Sequence, residues 1–249
     1  GEMAVLGTGN ANGGCSLLHA AGLGYGASLA LDLPVKVRLL DKESRRSLED
    51  PDGLLDAVIE SWTNAGLTIP EGDLFWSVNS KVPPRQGLKS SAAVSVAAIK
   101  ALCSATGITL EDADIVDLSA TAQISAGVSL TGSYDDSWAA IDGGWKLIDS
   151  NAEDARSGLL LESVGPSAED WTVILVSRGD RIEKPELEDF AYQQQSFSQA
   201  LTALQEGKDL VALTLNGRGV VGALNDKVGR IMTNDAFVSG ARAAGISGS

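Results

Sequence analysis

Two spacings of apolar residues alternate along the first 150 residues. In "ASLALDLPVKVRLLDK" (27–42), Val35, Val37 and Leu39 alternate with Lys36 and Arg38, the repeat of a half-buried strand. "DGLLDAVIESWTNAG" (52–66) lines up Leu55, Val58, Ile59 and Trp62 on one helical face, and Gly66 stops it. "MAVLGTGNANGG" (3–14) predicts a strand running into a Gly/Asn loop, and "LFWSVNSKVPP" predicts another strand. From Ala92 onwards only Ser95 and Lys100 interrupt an apolar run that reaches Cys103, so this helix is apolar nearly all round and buried. "TLEDADIVDLSATAQISAG" (109–127) predicts a helix begun by Thr109 with acids in its first turn. The stretch 127–150 predicts a loop, a short helix, the Gly143-Gly144 break and a strand. The polar segment "NAEDARSG" (151–158) marks a boundary between a first domain, 1–155, and a second, 156–249. In the second, "WTVILVSRG" (171–179) has the near-continuous apolar run of a buried strand, with helices expected over about 186–205, 208–224 and 235–244. Strands and helices mix without regular βαβ alternation, which predicts an α+β fold.

The loop before the apolar helix carries candidate chemistry. Pro83, Pro84 and Gly87 deny "PPRQGLKSS" a regular ladder, and Ser90 or Ser91 would serve as N-cap. A capping serine needs no ligand to explain it. Lys89 does, because a cation is unfavourable at the positive end of a helix unless an anion comes between. The spacing is not that of a Walker A loop, since Leu88 precedes the lysine and Pro83 stands where the earlier glycine would be. Downstream, "TGSYDDSW" sets Asp135 and Asp136 side by side after a glycine turn. One would suffice as a helix cap. Beside a phosphate loop, one carboxylate could orient or deprotonate an attacking hydroxyl, or hold Mg²⁺.

Composition narrows the partners. A formal charge of −14 over 249 residues argues against nucleic acid, and an anionic substrate would need a local basic pocket. No apolar run approaches the roughly 18 residues of a membrane span. Cys15 and Cys103 lack metal-ligand spacing and read as buried thiols in a reducing, cytoplasmic setting. The single histidine, His19, excludes a Ser-His-Asp hydrolase unless it is the base itself. A dinucleotide fold is suggested by the glycines of 7–14 and by Asp32, 23 residues after Gly9. The third glycine falls one position late, however, and Gly22, Gly24 and Gly26 would interrupt the crossover helix.

Five ordered stretches resemble the GHMP kinase superfamily, and its archaeal-type shikimate kinases in particular. They are "GYGASLALDL" (24–33), "PPRQGLKSSAAVSVAAIKAL" (83–102), "SAGVSLTGSYDDSWAAIDGG" (125–144), "LVALTLNGRGVVGAL" (210–224) and "AAGISGS" (243–249). The resemblance implies a two-domain fold, with a ribosomal S5 domain 2-like N-terminal domain and a ferredoxin-like C-terminal domain incomplete at its end. It implies ATP and Mg²⁺ as cofactors and shikimate as the small-molecule substrate. The ATP phosphates would lie over Pro83, Pro84, Arg85, Gln86, Gly87, Leu88, Lys89, Ser90, Ser91, Ala92 and Ala93. Ser91 would hold Mg²⁺, Lys89 would assist catalysis, and Asp136 would be the catalytic aspartate, with Asp135 as the alternative. Tyr25 stands where the family usually has lysine, and Ser125 near where other members carry a metal-binding glutamate. For the substrate carboxylate, Lys36, Arg85, Arg178 and Arg218 are the candidate cations. Homoserine, mevalonate or a sugar as acceptor, or nucleotide binding without turnover, are the alternative readings.

Overall fold

A computed structural model describes residues 2–46, 48–179 and 185–247. Strands β1 (Val5–Leu18) and β2 (Tyr25–Leu40) form a long antiparallel pair joined by the short helix α1 (Ala20–Leu23). β2 is long enough to serve two neighbours. Its 35–40 half pairs with β3 (Phe75–Ser80), and its 25–29 half pairs with β4 (Trp145–Asp149), which β5 (Leu159–Ser163) extends. Helices α2 (Leu54–Asn64), α3 (Ser90–Thr106), α4 (Asp112–Ser125) and α5 (Asp135–Ile141) pack together, α3 against β1 and β2. In the C-terminal part, α6 (Leu187–Ala191), α7 (Gln194–Gln205), α8 (Asp209–Leu224) and α9 (Lys227–Val238) follow, with α8 packed on α7 and on β1. The α+β architecture with its antiparallel sheet is as expected.

The glycines of 7–14 lie within β1, not in a loop. A Cβ on Gly7 or Gly9 would overlap the backbone carbonyl oxygens of Ala101 and Ala97, one turn apart on α3. The strand gives up side chains so that the buried helix can lie directly on its backbone. Since β2 returns antiparallel with no crossover helix, the dinucleotide reading falls.

Other departures have local causes. Glu111, not Thr109, caps α4. The expected 186–205 helix breaks at Tyr192–Gln193, so that Phe190 and Phe197 both enter the core, with Phe190 stacked on His19. The third C-terminal helix begins at Lys227, where the Asp226 carboxylate accepts from Gly229 N. Segment 151–158 is the connection of the β4–β5 hairpin, and sheet pairing therefore runs on to Ser163. The run 171–179 forms no strand among the described residues, and the side chains of 171–177 are exposed, Ile174 at 81%. Gly248 and Ser249, where the incomplete end was expected, lie outside the described residues.

Candidate active site

Lys89, not a serine, is the N-cap of α3. It sits in the left-handed region at φ 64°, ψ 36°, and no side chain caps the helix. Arg85 (φ 57°) and Gly87 (φ 73°) share that hand. Two non-glycine residues there are uncommon, and a backbone that alternates hand turns successive N–H groups to one side. The first intrahelical bond runs from Ala93 N to Lys89 O, so the N–H groups of Ser90, Ser91 and Ala92 have no partner within the helix. Buried Leu88 ties the loop to the sheet, its carbonyl accepting from Gly14 N at 3.0 Å. Pro84, Arg85 and Gln86 are exposed, whereas Lys89, Ser90 and Ser91 are half-buried at the helix mouth. Ala92 and Ala93 bury their side chains, so only their backbone can meet a ligand.

The C-terminal segment reaches this loop. Ser247 Oγ donates to Gly87 O at 2.6 Å and accepts from Ser16 N of β1 at 3.1 Å.

Both aspartates stand in the first turn of α5. Asp136 Oδ1 lies 3.3 Å from Lys89 Nζ, with the two side chains 31% and 11% exposed. Asp135 is 5% exposed, and Gly26 makes room for it: a Cβ there would be 2.7 Å from Asp135 Oδ1. Between the carboxylates sits Ser28 of β2, its Oγ 2.6 Å from Asp135 Oδ2 and 2.7 Å from Asp136 Oδ1. Burial, then the neighbouring Asp136 charge, push Asp135 up to about 7. Burial acts on Asp136 too, but Lys89 and the Ser28 hydroxyl outweigh it and hold that carboxyl below its usual range. Burial would weaken the Lys89 ammonium, yet Asp136 and Asp135 more than compensate and raise it.

A buried hydroxyl chain links α3, α4 and α5. Ser95 of α3 meets Ser119 of α4 at 2.6 Å, and Ser119 meets Ser137 of α5 at 2.8 Å. Gln123 donates to Ser137 at 3.0 Å. Lys89 and Asp136, 47 positions apart in the chain, are thus carried on helices that share one polar network.

Several other candidates are placed elsewhere. His19 caps α1 and stacks on Phe190, which gives it a structural role. Burial pushes the Cys15 thiol up to about 11, and Cys103 is only half-buried. Arg178 is engaged by Asp226 at 2.8 Å. Lys36, Arg85 and Arg218 are exposed. No helix among the described residues is long and apolar enough to cross a membrane.

Sequence reasoning missed Ser28 and Ser247. Ser28 had one signal: a lone hydroxyl between Ala27 and the apolar "LAL" of 29–31 demands a buried partner.

The site is a buried helix that opens on a left-handed lysine, paired directly with one of two aspartates in the first turn of α5. Residues 54–144 match the GHMP kinases N-terminal domain, and the α+β fold is similar to that of solved GHMP kinases. Among sequence relatives, the shikimate kinase of Pyrococcus furiosus is 30% identical over 155 residues, 59% of this chain and 56% of that one. The shikimate kinase of Pyrococcus abyssi is 28% identical over 223 residues, 86% of this chain and 78% of that one. The match to the P. furiosus protein therefore spans little more than half of its length. The crystal structure of Methanococcus jannaschii mevalonate kinase superposes with a TM-score of 0.67 over 97% of this chain and 87% of that one. At 15% identity, that likeness is one of fold.

Proposed function

We propose that the chain is an ATP-dependent small-molecule kinase that transfers the γ-phosphate of ATP to the 3-hydroxyl of shikimate. The observation that carries the reading is the meeting of Lys89 and Asp136 at the open N-terminus of α3. Phosphoryl transfer asks the protein mainly for positioning and for neutralisation of charge. The N–H groups of Ser90, Ser91 and Ala92, with the positive end of the helix, hold phosphate oxygens. Lys89 adds a full charge at the same place. Mg²⁺ would supply further neutralisation of phosphate charge, and a hard hydroxyl oxygen half-buried at the mouth of α3 is a donor suited to it. The Ser91 hydroxyl is the residue that would hold it.

Asp136 takes the proton of the acceptor hydroxyl as its oxygen bonds phosphorus and the bond to the leaving ADP oxygen breaks. Its pairing with Lys89 keeps it ionised beforehand. Phosphate competing for Lys89 raises the proton affinity of Asp136 where the acceptor hydroxyl arrives. Asp135, buried and inclined to hold its proton, is the less suited of the two.

Shikimate is favoured by the names of the sequence relatives and by Lys89 in place of the glycine usual in the superfamily. The fold likeness to mevalonate kinase favours a second reading, another small alcohol as acceptor. A coupled ADP-release assay over shikimate, mevalonate, homoserine and galactose tests both. Shikimate should give the highest kcat/KM. A better rate with another alcohol would replace the acceptor, and ATP binding without ADP release on any acceptor would sink the kinase reading.

A further inference from the structure

The two aspartates share a hydroxyl that cannot serve both alike. Ser28 is buried, 1% exposed, with Oγ within 2.7 Å of a carboxyl oxygen on each side. A serine hydroxyl has one proton to donate. If it donates to one carboxylate, the other contact is a hydrogen bond only when that carboxyl brings its own proton. Surroundings decide which one does. Asp135 is enclosed, while Asp136 is partly open and ion-paired with Lys89, so the neutral acid is Asp135. The chain of donors then runs from Asp135 to Ser28 Oγ and from Ser28 to Asp136 Oδ1. Lys89 Nζ makes its ion pair with that same Oδ1, and Asp135 also bonds the Asp136 carboxyl directly.

We propose that Ser28 is the positioning residue of this site: it relays a hydrogen bond from Asp135 to Asp136 and holds Asp136 by Oδ1 to meet the incoming hydroxyl. The proposal rests on the kinase reading only for what that hydroxyl belongs to. The groups facing Asp136 are Lys89 from the start of α3, Asp135 from its own helix and Ser28 from β2, while Cys15 of β1 adjoins Lys89.

Two variants and two readouts test it. S28A deletes one oxygen, and S28T keeps the hydroxyl. Carboxyl ¹³C titration of the ligand-free protein, with D135N and D136N used for assignment, needs no substrate. In S28A the Asp136 midpoint should rise by about one pH unit for loss of its donor, and S28T should return it towards wild type. In the ADP-release assay, S28A should lose roughly tenfold in kcat with KM for ATP within about threefold, the split expected of a positioning group. An unmoved Asp136 midpoint in S28A overturns the proposal, as does wild-type kcat in S28A beside an active wild-type enzyme. If no variant turns over any acceptor, the kinase reading fails, and the titration still decides the role of Ser28.

Discussion

Asp135 and Asp136 are neighbours in one helical turn, yet they are put to different uses by what surrounds them. Asp136→Asn removes the group that can accept a proton and should cut turnover at least 10²-fold while leaving ATP affinity within a few-fold. Asp135→Asn replaces a neutral acid by its near isostere and should be much milder. Steady-state kinetics and nucleotide titration of the two variants check this, and the reverse ranking would move the base to Asp135. The same contrast has a signature in stability. Asp135 holds its proton up to about pH 7 when folded, against the usual 3.8, so between those values the folded state binds more protons than the unfolded chain. Stability from this group is therefore present in acid and lost as pH rises from about 4 to 7. Thermal unfolding of wild type should show that decline relative to Asp135→Asn, which has no such group to ionise. Parallel pH curves for the two proteins would mean that Asp135 is ionised throughout. The pair was legible in the sequence only in combination, because a cap explains one acid and a neighbouring phosphate-type loop gives the second a use. Ser28 was not, because its partners lie 107 and 108 positions away.

At the scale of elements, helix and strand periodicity placed α2, α3, α5, β2, β3 and β4 where they are found. It failed where contact, not propensity, decides. Glycine weakens a strand through entropy and a missing side chain, so 7–14 read as a loop. What keeps it a strand is α3, whose backbone lies where the Gly7 and Gly9 side chains would be. Gly9→Ala should therefore cost about 3 kcal/mol or more, the upper range of overpacking in a close-packed core. Denaturant unfolding measures it, and a loss below about 1 kcal/mol would show that α3 can move aside. The N-cap was misplaced for a related reason. Ser90 and Ser91 are better caps than lysine by preference, yet Lys89 takes the left-handed cap position and pairs with Asp136. A local rule is broken at the point where the ligand is expected.

Across the whole molecule, the sequence could not say which apolar runs find partners. Trp171–Val176 has the composition of a buried strand but lies exposed beside no other strand among the described residues. Periodicity reports what a segment could bury, and tertiary pairing decides whether it does. The reverse holds for the C-terminal segment, whose resemblance to a superfamily motif pointed towards the nucleotide and whose described part does reach the loop. Ser247 bonds Gly87 O and Ser16 N, 160 and 231 positions away, clasping the phosphate-type loop to β1. On the proposed reading of this loop as the phosphate site, the clasp pre-organises it before ligand arrives, so its energy should be read in nucleotide affinity more than in folding. Ser247→Ala loses a hydrogen bond of about 1 kcal/mol, which is roughly a fivefold weaker Kd for ATP. Lys89 and Asp136 are left in place, so kcat at saturating ATP should stay within about twofold. Isothermal titration and saturation kinetics on the same preparation separate the two quantities. An unchanged Kd would mean that the loop keeps its shape without the clasp, and that the alternating backbone from Arg85 to Lys89 is held by Leu88 and the α3 core alone.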